Sequence, residues 1–255
     1  MASLASSMPP VVIDREELKV WGERWASDKN STNDKPKAKN ALDKQQSVNF
    51  ASFIDQAVAR SLAAMLGGIP VIQAKKNVLT PSKVDCIETG QVTIIGGVRP
   101  QNFDVAYRPD GPRIAFDSKT LNDKKSIAKN WQNMINDLAT EATTVHIRFP
   151  YALVAFIVVV PKPALAPKQE LDIIRTLERL GNRRDVLDQA QLAEAIALVV
   201  WDPSTGEINT ETPPPDSNLR IEKFSERLFP HYLERYKGLP PHNVAPIIDD
   251  KEDGE

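Results

Sequence analysis

Four residues in this chain have the types and spacing of a metal site with a lysine beside it: Asp104 and the run Asp117-Ser118-Lys119. They flank Asp110-Gly111, a dipeptide that favours a hairpin turn when alternating apolar residues lie on both sides. A hairpin centred there pairs positions that sum to 221, so Asp104 falls opposite Asp117. Side chains alternate along a strand, which puts Asp104, Asp117 and Lys119 on one face. Phe103, Val105, Tyr107, Ile114 and Phe116 are expected together on the other. Two carboxylates facing each other repel unless something positive lies between them. A divalent cation with oxygen ligands meets that need, and Mg²⁺ is commonly held by one or two carboxylates plus a substrate phosphate.

The elements that must position these residues can be read from periodicity. A short helix is expected around 14–25, followed by a polar, lysine-rich arm over 27–44 that carries Lys29, Lys35, Lys37, Lys39 and Lys44. Such a segment has too few apolar side chains to order itself and reads as mobile. Apolar spacing predicts a helix from Val48 to Leu66, with Ser47 as its cap and Gly67-Gly68 as its stop. Strands are expected over 84–88 and 91–95, then the hairpin. A helix over 126–140, a buried strand over 153–160, a helix over 167–180 closed by Gly181, further helix over 184–193 and a strand over 195–201 follow. Beyond Thr212-Pro-Pro-Pro215 lie a helix over 217–236 and an acidic tail over 249–255. The division is therefore a helix and arm (1–46), a core (47–205) and a Pro-rich linker, helix and tail (206–255). Strands joined partly by a hairpin and partly through helices make a mixed sheet with helices on its faces, an α/β (α+β) fold.

Composition narrows the function classes. One cysteine, Cys86, excludes an internal disulfide framework and suggests a reducing compartment, hence the cytoplasm. One cysteine and three scattered histidines leave no zinc spacing. The longest apolar run, 151–160, is far too short to span a bilayer as a helix, and the first residues lack the pattern of a secretory signal, so no membrane partner is expected. A net charge of -2 argues against a uniformly basic nucleic-acid binder while leaving room for a local basic groove.

The acidic residue, the gap and the Asp-x-Lys on an adjacent strand resemble the signature of the PD-(D/E)xK nuclease superfamily. The expected αβββαβ order from Val48 to about Trp201 is also similar to that superfamily's core. The resemblance covers the middle of the chain and is closest in size to type II restriction endonucleases. It implies a Mg²⁺-dependent endonuclease hydrolysing phosphodiester bonds of double-stranded DNA. Asp104, Asp117 and the backbone carbonyl of Ser118 would hold the metal, and Lys119 would orient or activate the attacking water. The literal Pro-Asp of this chain, Pro109-Asp110, lies in the expected turn, so Asp104 is the better match and Asp110 the fallback. Many members add an acidic residue from the first core helix, for which Asp55 is the internal candidate. Gln132 on the later helix is a further accessory candidate, and Lys124, Lys125 and Lys129 are candidates for DNA phosphates. Two-fold DNA sites imply a homodimer, and a restriction role implies a cognate DNA methyltransferase acting on the same site.

Other readings attach to the same residues. The fold could serve a repair, recombination or phage-defence nuclease, or a DNA-binding module without catalysis. Asp104, Asp117 and Lys119 could be an ordinary surface ion pair, worth under about 1 kcal/mol. His146 is expected to be structural, and Trp131, Met134, Ile135 and Leu138 to be core.

Overall fold

The computed structural model describes residues 4–32, 35–164 and 166–242; the acidic tail lies outside the described residues. Five α-helices and six strands alternate as α1 (Arg15–Ala26), α2 (Lys44–Met65), β1 (Val71–Gln73), β2 (Ile87–Ile95), β3 (Pro100–Tyr107), β4 (Ile114–Thr120), α3 (Ile127–His146), β5 (Leu153–Pro161), α4 (Pro167–Leu180), β6 (Ala195–Trp201) and α5 (Ile221–Tyr236). The strands form one mixed sheet in the order β1-β2-β3-β4-β5-β6. Only β3 runs antiparallel to its neighbours; the pairs β1–β2, β4–β5 and β5–β6 are parallel. Parallel neighbours need long crossovers, which α3 and α4 supply.

Helices cover both faces, giving two hydrophobic cores. One collects Leu18 and Trp21 of α1, Phe50, Ile54 and Val58 of α2 and Phe224 and Tyr232 of α5 against the sheet. The other collects Met134 and Leu138 of α3 and Ile173 and Leu177 of α4. With apolar cover on both sides, β5 and β6 are buried at every position, as their unbroken apolar sequence demands. The helices α1 and α5, which the sequence sets apart from the core segment, thus bury their apolar faces in the same core as α2. Among the described residues no helix is long and apolar enough to cross a membrane.

Several boundaries differ from the sequence expectation for identifiable reasons. The first long helix starts at Lys44 rather than after Ser47. Asp43 and Gln46 form a reciprocal capping box there, Gln46 N donating to Asp43 at 2.9 Å and Asp43 N to Gln46 at 3.0 Å. The segment 184–193 is turns and not helix. Asp188 accepts from Arg184 N at 2.8 Å and Asp185 N at 3.0 Å, and Asp185 accepts from Leu187 N at 2.8 Å, local bonds that compete with helical ones. The last helix begins at Ile221 rather than Ser217. The two short strands expected around Thr89-Gly90 are one strand, β2, whose register shifts between Thr89 and Val92. Gly90 sits there at φ +87, a conformation that glycine adopts without strain.

That bulge has a second effect. Thr89 faces Val105 across the pair, and Val92 faces Phe103. Val105 and Tyr107 pack in the α2 core with Ile114 and Phe116, whereas Phe103 packs with Val92 and Ile94 in the α3 core. Phe103 therefore does not share the face of Val105, and β3 changes face at Asp104.

Candidate active site

The hairpin register is the one the sequence gives: Val105 pairs with Phe116, Ala106 with Ala115 and Tyr107 with Ile114, each summing to 221. Paired positions stop at Val105–Phe116, so β3 and β4 splay from that point on. Asp104 lies in the fork, where its Oδ2 accepts a hydrogen bond from Ser118 N at 3.2 Å. Asp117 comes next to it from β4. Alternation along β4 turns Asp117 and Lys119 toward α3 and Ser118 toward α2, where Asp55 lies beside it.

Lys119 reaches across to α3. Its Nζ donates to Asp117 Oδ2 and, at 2.9 Å, to Glu141 Oε1. Gln101 of β3 donates to the same Glu141 oxygen at 3.2 Å. Asp55, Asp117, Ser118 and Glu141 are all buried, and Asp104 and Lys119 are half-buried. The cluster thus gathers four carboxylates, Asp55, Asp104, Asp117 and Glu141, around one ammonium.

That imbalance shows in protonation. Burial, followed by hydrogen bonding to Asp117 and the Asp117 charge, pushes Asp104 up to about 10. Burial and the Asp117 charge push Asp55 up to about 7, against the pull of Ser118 and Lys119. Burial and Asp117 push Glu141 up to about 8, with Lys119 opposing. Burial alone would depress the Lys119 ammonium, but Asp117 and Glu141 outweigh it and hold it above the ordinary lysine value. Lys119 is therefore a fixed positive charge in this arrangement.

Among the described residues no group of three or more His, Cys, Asp and Glu side chains has the spacing of a metal cage. The oxygen donors present are of the kind a hard cation takes. Asp104 and Asp117 face each other at the fork, and Asp55 Oδ1 and Glu141 Oε2 are buried with no hydrogen-bond partner. Such oxygens suit an oxygen-preferring dication such as Mg²⁺, which tolerates one or two carboxylates and keeps waters.

Compared with known family models, curated proteins and solved structures, the chain has no match. The reading of the site therefore rests on its own geometry.

The structure brings together Asp104, Asp117, Ser118, Lys119 and Asp55 of the residues singled out from sequence. Asp110, the fallback, is in the turn and holds Arg113 at 2.8 Å, away from the fork. Gln132 is exposed on α3, nine residues before Glu141, or roughly 13 Å along the helix axis. Lys124, Lys125 and Lys129 are exposed just beyond the end of β4. The residue missed was Glu141. Its signal was present: it shares the apolar stripe of Met134, Leu138, Ala142 and Val145, where a carboxylate is out of place without a partner.

His146, at the last turn of α3, belongs to a different network, around the buried Glu194 just before β6. Arg183 and Arg235 donate to Glu194 Oε1 at 2.7 and 2.8 Å, Val154 N donates to Oε2 at 2.8 Å, and His146 Nε2 lies 3.4 Å from Oε2. Burial would raise the Glu194 carboxyl, but His146, Arg235 and Val154 more than reverse it and bring it down to about 2. The structural role expected for His146 agrees with this placement.

Proposed function

We propose that this chain is a Mg²⁺-dependent endonuclease hydrolysing phosphodiester bonds of duplex DNA, with a restriction-endonuclease-like core. The observation that carries the reading is the fork between β3 and β4. The acidic residue and the Asp-x-Lys run named from sequence meet there, with a helix-borne carboxylate alongside. A surface ion pair needs no such burial, and a binding module without catalysis needs no opposed carboxylates.

Each residue has a task in such a reaction. Asp104 and Asp117, with the Ser118 carbonyl beside them, would hold the Mg²⁺. The chemistry that Mg²⁺ supplies when bound is neutralisation of phosphate charge and acidification of a coordinated water. Lys119 stays charged, so it donates hydrogen bonds and cannot serve as the base. It orients the attacking water and stabilises the charge that builds on the phosphate in the transition state. Glu141 fixes the lysine from the far side, and Gln101 fixes Glu141. Asp55 adds a further buried carboxylate beside Ser118.

Purified protein should nick or cut plasmid DNA with Mg²⁺ and stop with EDTA. Unimpaired cleavage by Asp117→Ala or Lys119→Ala protein would remove the assignment. Discrete fragments identify a type II restriction enzyme, which acts on a two-fold site as a homodimer beside a cognate DNA methyltransferase. Smears or structure-specific cuts identify a repair, recombination or phage-defence nuclease instead.

A further inference from the structure

The four lysines between α1 and α2 are not laid out as equivalent charges. Lys37 is turned inward: its Nζ donates to the Ala41 carbonyl at 2.6 Å and to the Ser27 carbonyl, and burial lowers its pKa. Further bonds close the loop on this pin. Lys29 and Pro36 form an isolated bridge, Lys37 N donates to Asp28 O at 2.8 Å, and Ser31 N donates to Asp43 Oδ2 at 2.7 Å. Lys39, on the same segment, faces outward and is exposed.

The loop is also fastened to the end of the catalytic strand. Trp25 Nε1 donates to the Asn122 carbonyl at 2.7 Å in a buried contact, and Lys124 N donates to the Asn40 carbonyl at 3.1 Å. Lys39 therefore neighbours Lys124 and Lys125, only five and six residues beyond Lys119 in sequence. The start of α3 follows at once. Its first turn carries no acidic residue and adds Lys129 to the group. Asp123, the nearest carboxylate in sequence, is already engaged by Lys125 N at 3.0 Å. Gathering these charges opposes folding unless a polyanion shares the surface.

We propose that Lys39, Lys124, Lys125 and Lys129 form a rim that grips the DNA sugar-phosphate backbone beside the fork. The choice of DNA as the polyanion rests on the nuclease reading. The rim uses no base contacts, so it sets affinity and register rather than sequence choice.

The test is binding of a labelled DNA duplex by the full chain in EDTA, read by fluorescence anisotropy over a KCl series. Each lysine that neutralises a phosphate contributes roughly 0.9 to the slope of log affinity against log salt. A triple Lys39→Ala, Lys124→Ala, Lys125→Ala protein should therefore lose roughly 2 to 3 from that slope. A matched triple at exposed basic sites elsewhere, Lys83→Ala, Arg184→Ala, Lys237→Ala, should keep it. An unchanged slope in the first triple, an equal loss in the second, or no DNA binding by the parent protein would overturn the rim. If the triple variant does not fold, the three single variants each carry the same expectation at about one third of the size. Lysine-dependent binding by a protein that never cleaves with Mg²⁺ supports the rim and removes the nuclease reading. Cleavage with an unchanged slope does the reverse.

Discussion

Two buried charge networks lie in the molecule, one on β4 and one just before β6, and they are built on opposite principles. Around Glu194 one carboxylate is held by Arg183, Arg235, His146 and a backbone amide. Around Lys119 one ammonium faces Asp55, Asp104, Asp117 and Glu141. The first network is satisfied by the fold itself, with cation donors converging on the acid. The second is short of positive charge, and three of its acids rise toward or beyond neutrality as a result. A fold keeps such a deficit where function needs it.

Glu194→Gln should give the largest stability effect that separates the two. Buried guanidinium groups left without their carboxylate cost on the order of 3–5 kcal/mol, measurable by urea unfolding. DNA cleavage per folded molecule should be unchanged. The converse variant is Asp117→Asn, which should lower plasmid cleavage by about 10²- to 10³-fold, as loss of a transition-state electrostatic group does. Its unfolding free energy should hold or rise, because one repelling charge has gone. Loss of both stability and cleavage in either variant would erase the distinction.

The pH dependence should run in opposite directions at the two networks. The raised acids Asp55 and Glu141 contribute stability that is complete below their ordinary values and lost as pH climbs through about 7 and about 8. Glu194 is depressed to about 2, so its contribution is present above its ordinary value and lost only as pH falls through about 2. Metal-free protein should therefore lose Tm between about pH 5 and about pH 8, with a separate acid transition far below. Mg²⁺ should raise Tm more at the alkaline end of that range, where the cluster carries more negative charge. A Tm that does not depend on pH over this range, or equal Mg²⁺ effects at both ends, would contradict the assignment of the deficit. The smallest effect should come from Asp55→Asn: a gain of about 1 kcal/mol at about pH 8 and little at about pH 5.

How much of this could be read from sequence depended on whether the signal was local. The Asp-Gly turn and the alternation around it fixed the β3–β4 register, and with it the meeting of Asp104 and Asp117. The apolar runs of β5 and β6 announced themselves because both faces are buried. The change of face at Asp104 was hidden, since it follows from a bulge around Gly90 on a neighbouring strand. Glu141 escaped because a carboxylate on an apolar stripe has meaning only once its partner is known, and Lys119 is 22 residues away. The segment 184–193 misled because Asp185 and Asp188 satisfy nearby amides locally, which periodicity does not register. The three residues of β1 were too few to leave a pattern.

That shortness bears on how two copies could associate. A sheet edge with a long row of free amides and carbonyls invites strand pairing between molecules. Here one edge is Val71–Gln73 and, beyond it, the rest of β2, whose Thr93 and Ile95 carbonyls accept from the Arg108 and Arg148 side chains. The other edge, β6, is partly capped within the chain by the Trp201–Ile208 bridge and by Asn209 N donating to Val200 O at 2.7 Å. Among the described residues neither margin presents a long free strand edge, so pairing of sheets between two copies is disfavoured.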